Sequence, residues 1–258
     1  MNAPTETPRV SKPDLESALA ALGLGRGDVV AFHTSLSAFG RIRGGADALI
    51  DAVLETVGRE GAALAPTFTF DARWGPGCPP VFDLRQSLSV TGRTPEVFRL
   101  RPNALRSLHP THSWAAIGAR AVDITRGHED SPTPCGPISP LGRLVALSGK
   151  VLLLGVTLES CTFFHYCEEV AVVPYHLQPR PTRVVMTTAA GATVERDFYL
   201  HRWGGSPRDF TKPEPELLRL GLMRKTTLGP AEIRLLDASK TAEFLIDILR
   251  HNPDYFLV

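Results

Sequence analysis

Val151-Leu-Leu-Leu-Gly155 is an apolar run that ends in glycine, and Cys161-Thr-Phe-Phe-His-Tyr-Cys-Glu168 follows it closely in the chain. The apolar run predicts a buried strand, and the periodic spacing of apolar residues over 162–172 predicts a helix. Ligands of open α/β sheets bind in the crevice beyond the carboxyl ends of the strands. We therefore expect the reactive side chains between Cys161 and Glu168 to lie at a ligand-binding edge of a sheet.

His165 and Glu168 stand three residues apart in the predicted helix. Residues at this spacing share one face, so the carboxylate can orient the imidazole and raise its basicity, as a general base requires. The alternative is a satisfied core or surface histidine, which is the commoner fate of a single histidine near an apolar segment. A second cluster, Ser107-Leu-His-Pro-Thr-His-Ser113, favours the functional interpretation, because a solvated loop alone does not explain its imidazoles and hydroxyls.

Other segments extend this pattern to a layered α/β fold. Short apolar runs predict strands, apolar residues at helical spacing predict helices, and alternation around Gly191 predicts a hairpin. Besides those above, the predicted strands cover residues 29–32, 62–66, 114–117, 183–186, 192–198 and 232–236, and the predicted helices cover residues 13–22, 45–57, 95–100 and 240–250. We predict a single layered α/β domain over residues 13–258, with a mixed central sheet flanked by helices, after a loose polar arm over residues 1–12.

The first predicted strand runs into His33-Thr-Ser-Leu-Ser-Ala-Phe-Gly40, and a helix starts at the Gly44-Gly45 pair. A strand, a polar loop of small residues and a helix can together hold phosphate with backbone N–H groups and hydroxyls. The segment contains neither Gly-x-Gly-x-x-Gly nor the lysine of a P-loop. By spacing alone it is therefore more typical of an ordinary connection.

The overall charge is nearly balanced, with 28 Lys and Arg against 27 Asp and Glu, a net charge of +1. No global field attracts nucleic acid or an anionic membrane surface, so we expect neither as a partner. No apolar run approaches the roughly 20 residues of a membrane span, and the first residues lack a basic and then apolar signal. We expect a cytoplasmic enzyme that recognises its substrate through local groups.

The four cysteines are scattered along the chain, and we expect them to be free thiols. Because thiolates and imidazoles are the usual zinc ligands, Cys161, His165 and Cys167 together with His109 and His112 form an alternative metal site. Cys161 and Cys167 stand on different faces of the predicted helix, and no Cys-x-x-Cys is present. We therefore expect no metal.

Several motifs in sequence order resemble the aminoglycoside 3-N-acetyltransferase family. The resemblance runs from about residue 14 to the last predicted helix and implies transfer of an acyl group, usually acetyl, from coenzyme A to an amine. The motifs are Val29-Val-Ala-Phe-His-Thr-Ser-Leu-Ser-Ala-Phe-Gly40, Gly44-Gly45, Ala65-Pro-Thr-Phe-Thr69, Gly92-x-x-x-Glu96-x-Phe-Arg99, Arg106-Ser-Leu-His-Pro-Thr-His-Ser113, Ser139-Pro-Leu-Gly142, Leu154-Gly155 and Thr162-x-x-His165-x-x-Glu168.

The resemblance implies roles for particular residues in direct attack of an amine on acetyl coenzyme A. His165 would be the general base and Glu168 its support, and Thr162 could donate a hydrogen bond to the oxyanion or the leaving sulfur. Carboxylates and an aromatic residue would meet a cationic acceptor, with Asp71, Glu96 and Tyr199 as candidates. The candidates for coenzyme A binding are His33, Thr34, Ser35, Leu36, Ser37, Gly40, Arg41, Thr67, His109 and Ser113.

Two other functions stay open. Acidic residues are not concentrated around the motifs, so a biosynthetic N-acyltransferase acting on a smaller amine is an alternative to an enzyme acting on aminoglycosides. A zinc hydrolase using His109, His112 and His165 is a more remote one. A homodimer is compatible with the size of the chain, although no segment marks an interface.

Overall fold

The computed structural model describes residues 9–258. No helix among these residues is both long enough and apolar enough to cross a membrane. The strands are β1 (Arg9–Val10), β2 (Val29–Thr34), β3 (Arg41–Ile42), β4 (Ala62–Pro66), β5 (Val81–Asp83), β6 (Leu105–Arg106), β7 (Trp114–Gly118), β8 (Lys150–Leu154), β9 (Thr182–Thr187), β10 (Thr193–Phe198), β11 (Met223–Leu228) and β12 (Ala231–Asp237). The helices are α1 (Lys12–Leu22), α2 (Gly45–Val57), α3 (Arg93–Arg99), α4 (Ala121–Thr125), α5 (Pro140–Ala146), α6 (Phe163–Ala171), α7 (Glu214–Arg219) and α8 (Ala238–His251).

Seven strands form the main sheet, in the order β11-β12-β8-β2-β4-β7-β6. β2 is parallel to both β8 and β4, whereas the other neighbouring strands are antiparallel. A smaller sheet has the order β10-β9-β5, and β1 pairs with β3. The prediction of an α/β fold with a mixed central sheet flanked by helices is confirmed.

Both faces of the main sheet are buried, because its strands send alternate residues into two hydrophobic cores. In β2, Val29 and Ala31 belong to one core, and Val30 and Phe32 belong to the other. The first core includes side chains of α5, α6 and α8, and the second includes side chains of α1, α2 and α3. Burial on both faces explains why these strands are continuous apolar runs in the sequence.

Two segments are more regular than the sequence predicts. Residues 1–8 of the predicted arm lie outside the described residues. The rest of the arm is ordered, because Arg9–Val10 form β1, which pairs with β3, and α1 already starts at Lys12. Ser11 and Asp14 form a reciprocal capping box that fixes this start. The segment over residues 72–89, for which the sequence predicts neither a strand nor a helix, contains β5, which pairs with β9 in parallel.

One edge of the main sheet collects the segments that follow β2, β4 and β8, because these strands point in the same direction. Thr34, at the end of β2, lies opposite Leu154, at the end of β8. Pro66, at the end of β4, lies opposite Trp114, the first residue of the antiparallel β7. Four segments of the chain therefore meet beyond the carboxyl ends of the parallel strands, where open α/β sheets bind ligands.

Candidate active site

His165 lies in the first turn of α6, beyond this edge of the sheet. Its Nδ1–H donates to Oε2 of Glu168 over 2.7 Å, the pairing that the spacing of the two residues predicts. The His165 side chain is 21% exposed, whereas that of Glu168 is fully buried. Because Nδ1 carries the donated proton, the lone pair of the neutral ring lies on Nε2, which can accept a proton.

The Glu168 carboxylate has a cationic partner on its other oxygen. Arg208 donates from Nε to Oε1 over 2.7 Å, and its Nη2 donates to Nδ1 of His176 over 3.1 Å. Burial raises the pKa of Glu168, but the hydrogen bond from His165 and the neighbouring positive charges outweigh it and lower that pKa to about 2. Glu168 is therefore an anion at neutral pH, and its carboxylate fixes the orientation of the His165 ring through this hydrogen bond.

Ring contacts extend from His165 to three further histidines, and His112, His165, His176 and His201 are termed the histidine cluster below. The ring centroids of His165 and His176 are 4.9 Å apart, and those of His176 and His201 are 4.0 Å apart. His201 lies 4.2 Å from His112, which stacks on Trp203. Burial lowers the pKa of His112, His176 and His201 well below the usual value, so these rings are neutral at pH 7.

Glu169 faces the same cluster but differs from Glu168 in charge. Nε2 of His201 lies 3.0 Å from its Oε1, and the backbone N–H of Cys135 donates to its carboxyl group. Burial and the charge of Glu168 raise the pKa of Glu169 to about 8, despite the hydrogen bonds from Thr133 and Cys135. The pKa values of the two adjacent carboxyl groups differ in direction because, among the described residues, an arginine contacts Glu168 and not Glu169.

The sequence analysis did not identify His176, His201 or Arg208 as site residues. No spacing rule connects these residues to His165, because tertiary folding brings their segments together. One signal was available in the composition of the chain. All of the eight histidines except His251 take part in ring contacts around this edge.

The loop predicted to bind coenzyme A starts beside the candidate base. Burial and the charge of His165 lower the pKa of His33 to about 4, and the His33 ring meets that of Trp114 edge to face. Within residues 9–258, Nε2 of His33 and Oγ1 of Thr34 are buried without a hydrogen-bond partner. Because buried polar atoms are normally paired, these two atoms indicate a place for a ligand group.

The rest of this loop presents hydroxyls and a cation. The hydroxyls of Ser35 and Ser37 are 3.1 Å apart. Leu36 is the first residue of a short 3₁₀ turn, and its side chain packs against the second core. The turn ends at Gly40, whose φ of 70° suits glycine. Arg41 is exposed and makes no ion pair in the part of the chain that the structure describes.

Three other predicted coenzyme A ligands make hydrogen bonds inside the protein. Thr67 donates to the backbone oxygen of Ser113 over 3.0 Å, and Arg106 donates from Nε to both hydroxyl oxygens over 3.1 and 3.0 Å. His109 is fully buried, and its Nδ1 accepts from two backbone N–H groups of its own turn. These side chains organise the segment before β7, and their geometry gives no support to a contact with coenzyme A.

Two of the predicted acceptor ligands make no hydrogen bond or ring contact with the histidine cluster among residues 9–258. Glu96 accepts from Nε of Arg99 over 2.6 Å and from the backbone N–H of Ser89 over 2.9 Å, so it holds the start of α3 against the preceding segment. Tyr199 is 39% exposed and takes no part in the ring contacts described above. Neither residue therefore supports the predicted contact with an acceptor at His165.

Asp71 is connected to the histidine cluster through its neighbour in the chain. The neighbouring Phe70 ring lies 4.3 Å from Trp203, whose ring stacks on His112. A hydrogen bond from Arg73 lowers the pKa of Asp71 to about 2, so the carboxylate is charged. The Asp71 carboxylate, which is paired with Arg73, therefore directly follows a residue that packs against Trp203.

Thr162 directly precedes α6, and its backbone oxygen accepts from the N–H of His165 over 3.0 Å. Within the described residues its hydroxyl makes no capping hydrogen bond. The side chain is half-buried, one helical turn from the imidazole. The structure thus leaves the Thr162 hydroxyl able to meet a ligand.

Three groups of side chains place metal-ligand atoms within 4.8 Å of one another: His165, Glu168 and His176; Glu169, His176 and His201; and His112, Cys135 and His201. The alternative zinc sites, built from Cys161, His165 and Cys167 or from His109, His112 and His165, are not among the groups that residues 9–258 form. Burial raises the pKa of the Cys161 thiol to about 12 and that of Cys167 well above its usual value, so both are poor ligands. At the first group, the guanidinium of Arg208 disfavours a dication because it already contacts Glu168 and His176.

The chain and its fold match known proteins. The model of the protein family described as aminoglycoside 3-N-acetyltransferase matches residues 32–250. Aminoglycoside N(3)-acetyltransferase VII of Streptomyces paromomycinus is 35% identical over 263 residues, which cover 91% of this chain and 90% of that protein. The crystal structure of aminoglycoside acetyltransferase AAC(3)-Xa aligns with a TM-score of 0.83 and 34% identity over 94% of this chain and 93% of that one. The structure of AAC-IIIb with CoASH aligns with a TM-score of 0.79 and 30% identity over 97% and 99% of the two chains.

These matches define the chain as an acyltransferase. It belongs to the aminoglycoside 3-N-acetyltransferase family. The resemblance recognised in the sequence motifs is confirmed over most of the chain.

Proposed function

We propose that the protein transfers the acetyl group of acetyl coenzyme A to the 3-amino group of an aminoglycoside-like acceptor. The hydrogen-bonded pair of His165 and buried Glu168, at the ligand-binding edge of the sheet, carries this proposal. The names of the relatives support the acceptor, and the structure of AAC-IIIb with CoASH supports the donor.

The transfer is a direct attack within a ternary complex. An ammonium has no lone pair, so Nε2 of His165 takes a proton from the acceptor amine as its nitrogen attacks the thioester carbonyl. The C–N bond forms, the C–S bond breaks, and the proton on His165 passes to the departing sulfur. Glu168 stabilises the imidazolium during this cycle, and the Thr162 hydroxyl donates to the oxyanion or the sulfur. General base catalysis contributes about a hundredfold to ten-thousandfold, and positioning of the two substrates adds to it.

The loop from His33 to Gly40, with Arg41, is the proposed coenzyme A site. The unpaired Nε2 of His33 and Oγ1 of Thr34 lie at its base, and an exposed serine and arginine lie further out. Gly155 allows this loop to lie close to the end of β8, because a Cβ there would come within 2.6 Å of Cβ of Ala38. The pantetheine and phosphates of coenzyme A would therefore meet polar groups along the loop. At the inner end of the loop, the thioester would reach the proposed general base, His165.

The acceptor approaches from the side of Phe70, Asp71 and Trp203. Asp71 supplies a negative charge and Trp203 an aromatic face, both of which suit a cationic amine. Glu96 and Tyr199 are left out of this proposed site because neither contacts the histidine cluster in the described part of the chain. The cytoplasmic location and the homodimer stay predictions, and the reaction proposed here uses no metal.

An acceptor screen that measures thiol release from acetyl coenzyme A tests this function. We expect turnover with aminoglycosides that carry a free 3-amino group, and none with matched aminoglycosides already acetylated at that position. Turnover confined to small amines would favour the biosynthetic alternative. Activity that requires added zinc and releases no thiol would favour the hydrolase.

Initial-rate kinetics with both substrates varied tests the ternary complex. Double-reciprocal lines should intersect, because both substrates must be bound before the acyl group moves. Parallel lines would indicate an acyl-enzyme intermediate and would contradict direct attack.

A further inference from the structure

A cavity of about 610 Å³ lies at the far edge of the main sheet, beside the edge strand β6. The end of α3, helix α4 and the chain around Leu84 and Arg85 also line it. Its lining includes no residue of the histidine cluster and no residue of the proposed coenzyme A loop. The volume falls within the range of roughly 300 to 1,000 Å³ that is typical of small-molecule sites.

Three exposed apolar side chains from different elements line this cavity. Leu100 directly follows α3 and is 64% exposed, Leu105 lies in β6 and is 41% exposed, and Val122 lies in α4 and is 59% exposed. Single exposed apolar residues are common on proteins, but a set that converges on one cavity indicates a binding surface. The cavity can therefore accommodate an aliphatic group.

Positive charge accompanies the apolar lining. Arg85 and Arg126 are exposed and line the cavity, and Arg85 makes no ion pair with any carboxylate among residues 9–258. Arg126 lies 3.5 Å from Asp123, a loose surface contact. Glu129 is the acidic residue in the lining, so the arginines outweigh it.

Arg106, also in the lining, is a largely buried cation without a direct counter-ion in the described part of the chain. Burial and the charge of Arg99 lower its pKa to about 10, although Glu96 and Asp83 act in the opposite direction. A buried charge is costly unless it is paired, so an anion in the cavity would be favoured. The guanidinium donates only to neutral oxygens, those of Thr67, Leu84, Ser87 and Ser113.

We propose that this cavity binds a small amphipathic anion, an aliphatic carboxylate of medium chain length. The chain would lie on Leu100, Leu105 and Val122, and the carboxylate would face the arginines of the same cavity. This site is separate from the acetyl-transfer site, so its occupation does not depend on coenzyme A or on the acceptor amine.

Calorimetric titration of the whole protein with decanoate tests the site, and decylamine is the probe of equal chain length and opposite charge. We expect saturable binding of one decanoate per chain and no comparable binding of decylamine. Val122→Glu and Arg85→Glu should each weaken decanoate binding by about tenfold or more, equivalent to about 1.4 kcal/mol. Both side chains are exposed, so both variants should keep the circular dichroism spectrum of the wild type.

Val81→Glu and Arg93→Glu are matched controls, because they make the same changes at exposed residues outside the cavity lining. We expect both to bind decanoate as the wild type does. Four results would each overturn the proposal: no saturable decanoate binding, equal binding of decylamine, equal weakening by the control variants, or displacement of decanoate by coenzyme A. The last result would make the cavity part of the cosubstrate site.

Discussion

Glu168 and Arg208, which are 40 residues apart in the chain, are joined by a hydrogen bond of 2.7 Å from Nε of the arginine to Oε1 of the carboxylate. The other oxygen, Oε2, accepts the hydrogen bond from His165. One buried carboxylate thus connects the candidate base in α6 to the segment after β10. Arg208 compensates the charge that supports the base, although it lies far from α6 in sequence.

Replacing this cation should affect stability and catalysis together. Arg208→Met leaves the Glu168 carboxylate buried with its arginine partner removed, which should lower the free energy of unfolding by about 3 to 5 kcal/mol. Turnover should also fall, because an uncompensated or protonated Glu168 supports His165 poorly. Urea denaturation and steady-state kinetics measure the two effects. Arg196→Met, which removes an exposed ion pair with Asp130, is the control and should change stability by less than about 1 kcal/mol.

Removal of the candidate base should separate catalysis from binding. His165→Ala should lower kcat at least about a hundredfold, because the acceptor loses its proton acceptor. The affinity for coenzyme A, measured by calorimetry, should change little because the loop from His33 to Gly40 is untouched. Near-normal turnover of the folded variant would show that the base lies elsewhere.

The acid sensitivity of the fold should depend on Glu168. Its pKa in the folded state, about 2, lies below the usual 4.5, so its contribution to stability is complete above about pH 5 and is lost as the pH falls towards 2. Glu168→Gln should be less stable than the wild type at pH 7, and this difference should shrink as the pH is lowered. A stability difference that stays constant from pH 7 to pH 3 would contradict this assignment.

The contribution of Glu169 to stability should depend on pH in the opposite direction. Its folded-state pKa of about 8 lies above the usual 4.5, so its contribution to stability is complete below about pH 4.5 and is lost as the pH rises towards 8. Relative to the wild type, Glu169→Gln should therefore gain stability between pH 5 and pH 8. Thermal melts of both proteins across this range measure the change, and a relative loss of stability would show that Glu169 is ionised in the fold.

The predicted coenzyme A ligands should divide into residues that bind coenzyme A and residues that only stabilise the fold. Arg41→Ala should raise the dissociation constant of coenzyme A by about three- to tenfold, because a charge-assisted contact with phosphate is lost. Ser113→Ala should leave this constant unchanged and lower the free energy of unfolding by about 1 to 3 kcal/mol, because hydrogen-bond partners of buried groups are removed. Weaker coenzyme A binding by a fully stable Ser113→Ala would instead place Ser113 in the site.

Much of the fold could be predicted from the sequence, because the responsible signals are local. The apolar run that becomes β8 and the glycine-bounded segment that becomes α2 were predicted within one residue of their observed bounds. The strand β5 was not predicted, because three residues beside a Gly- and Pro-rich segment carry too weak a pattern. Its structure comes from pairing with β9, which is distant in sequence.

In the site, the pair of His165 and Glu168 was predictable from the sequence, because helical geometry brings residues three apart onto one face. The contacts of Arg208 and His176 with this carboxylate, and the hydrogen bond between Thr67 and Ser113, are known from the folded structure alone. The two kinds of feature differ in the range of the interactions that produce them. Backbone hydrogen bonds and apolar periodicity act over a few residues, whereas the partners of a buried charge depend on which distant segments the folded core brings together.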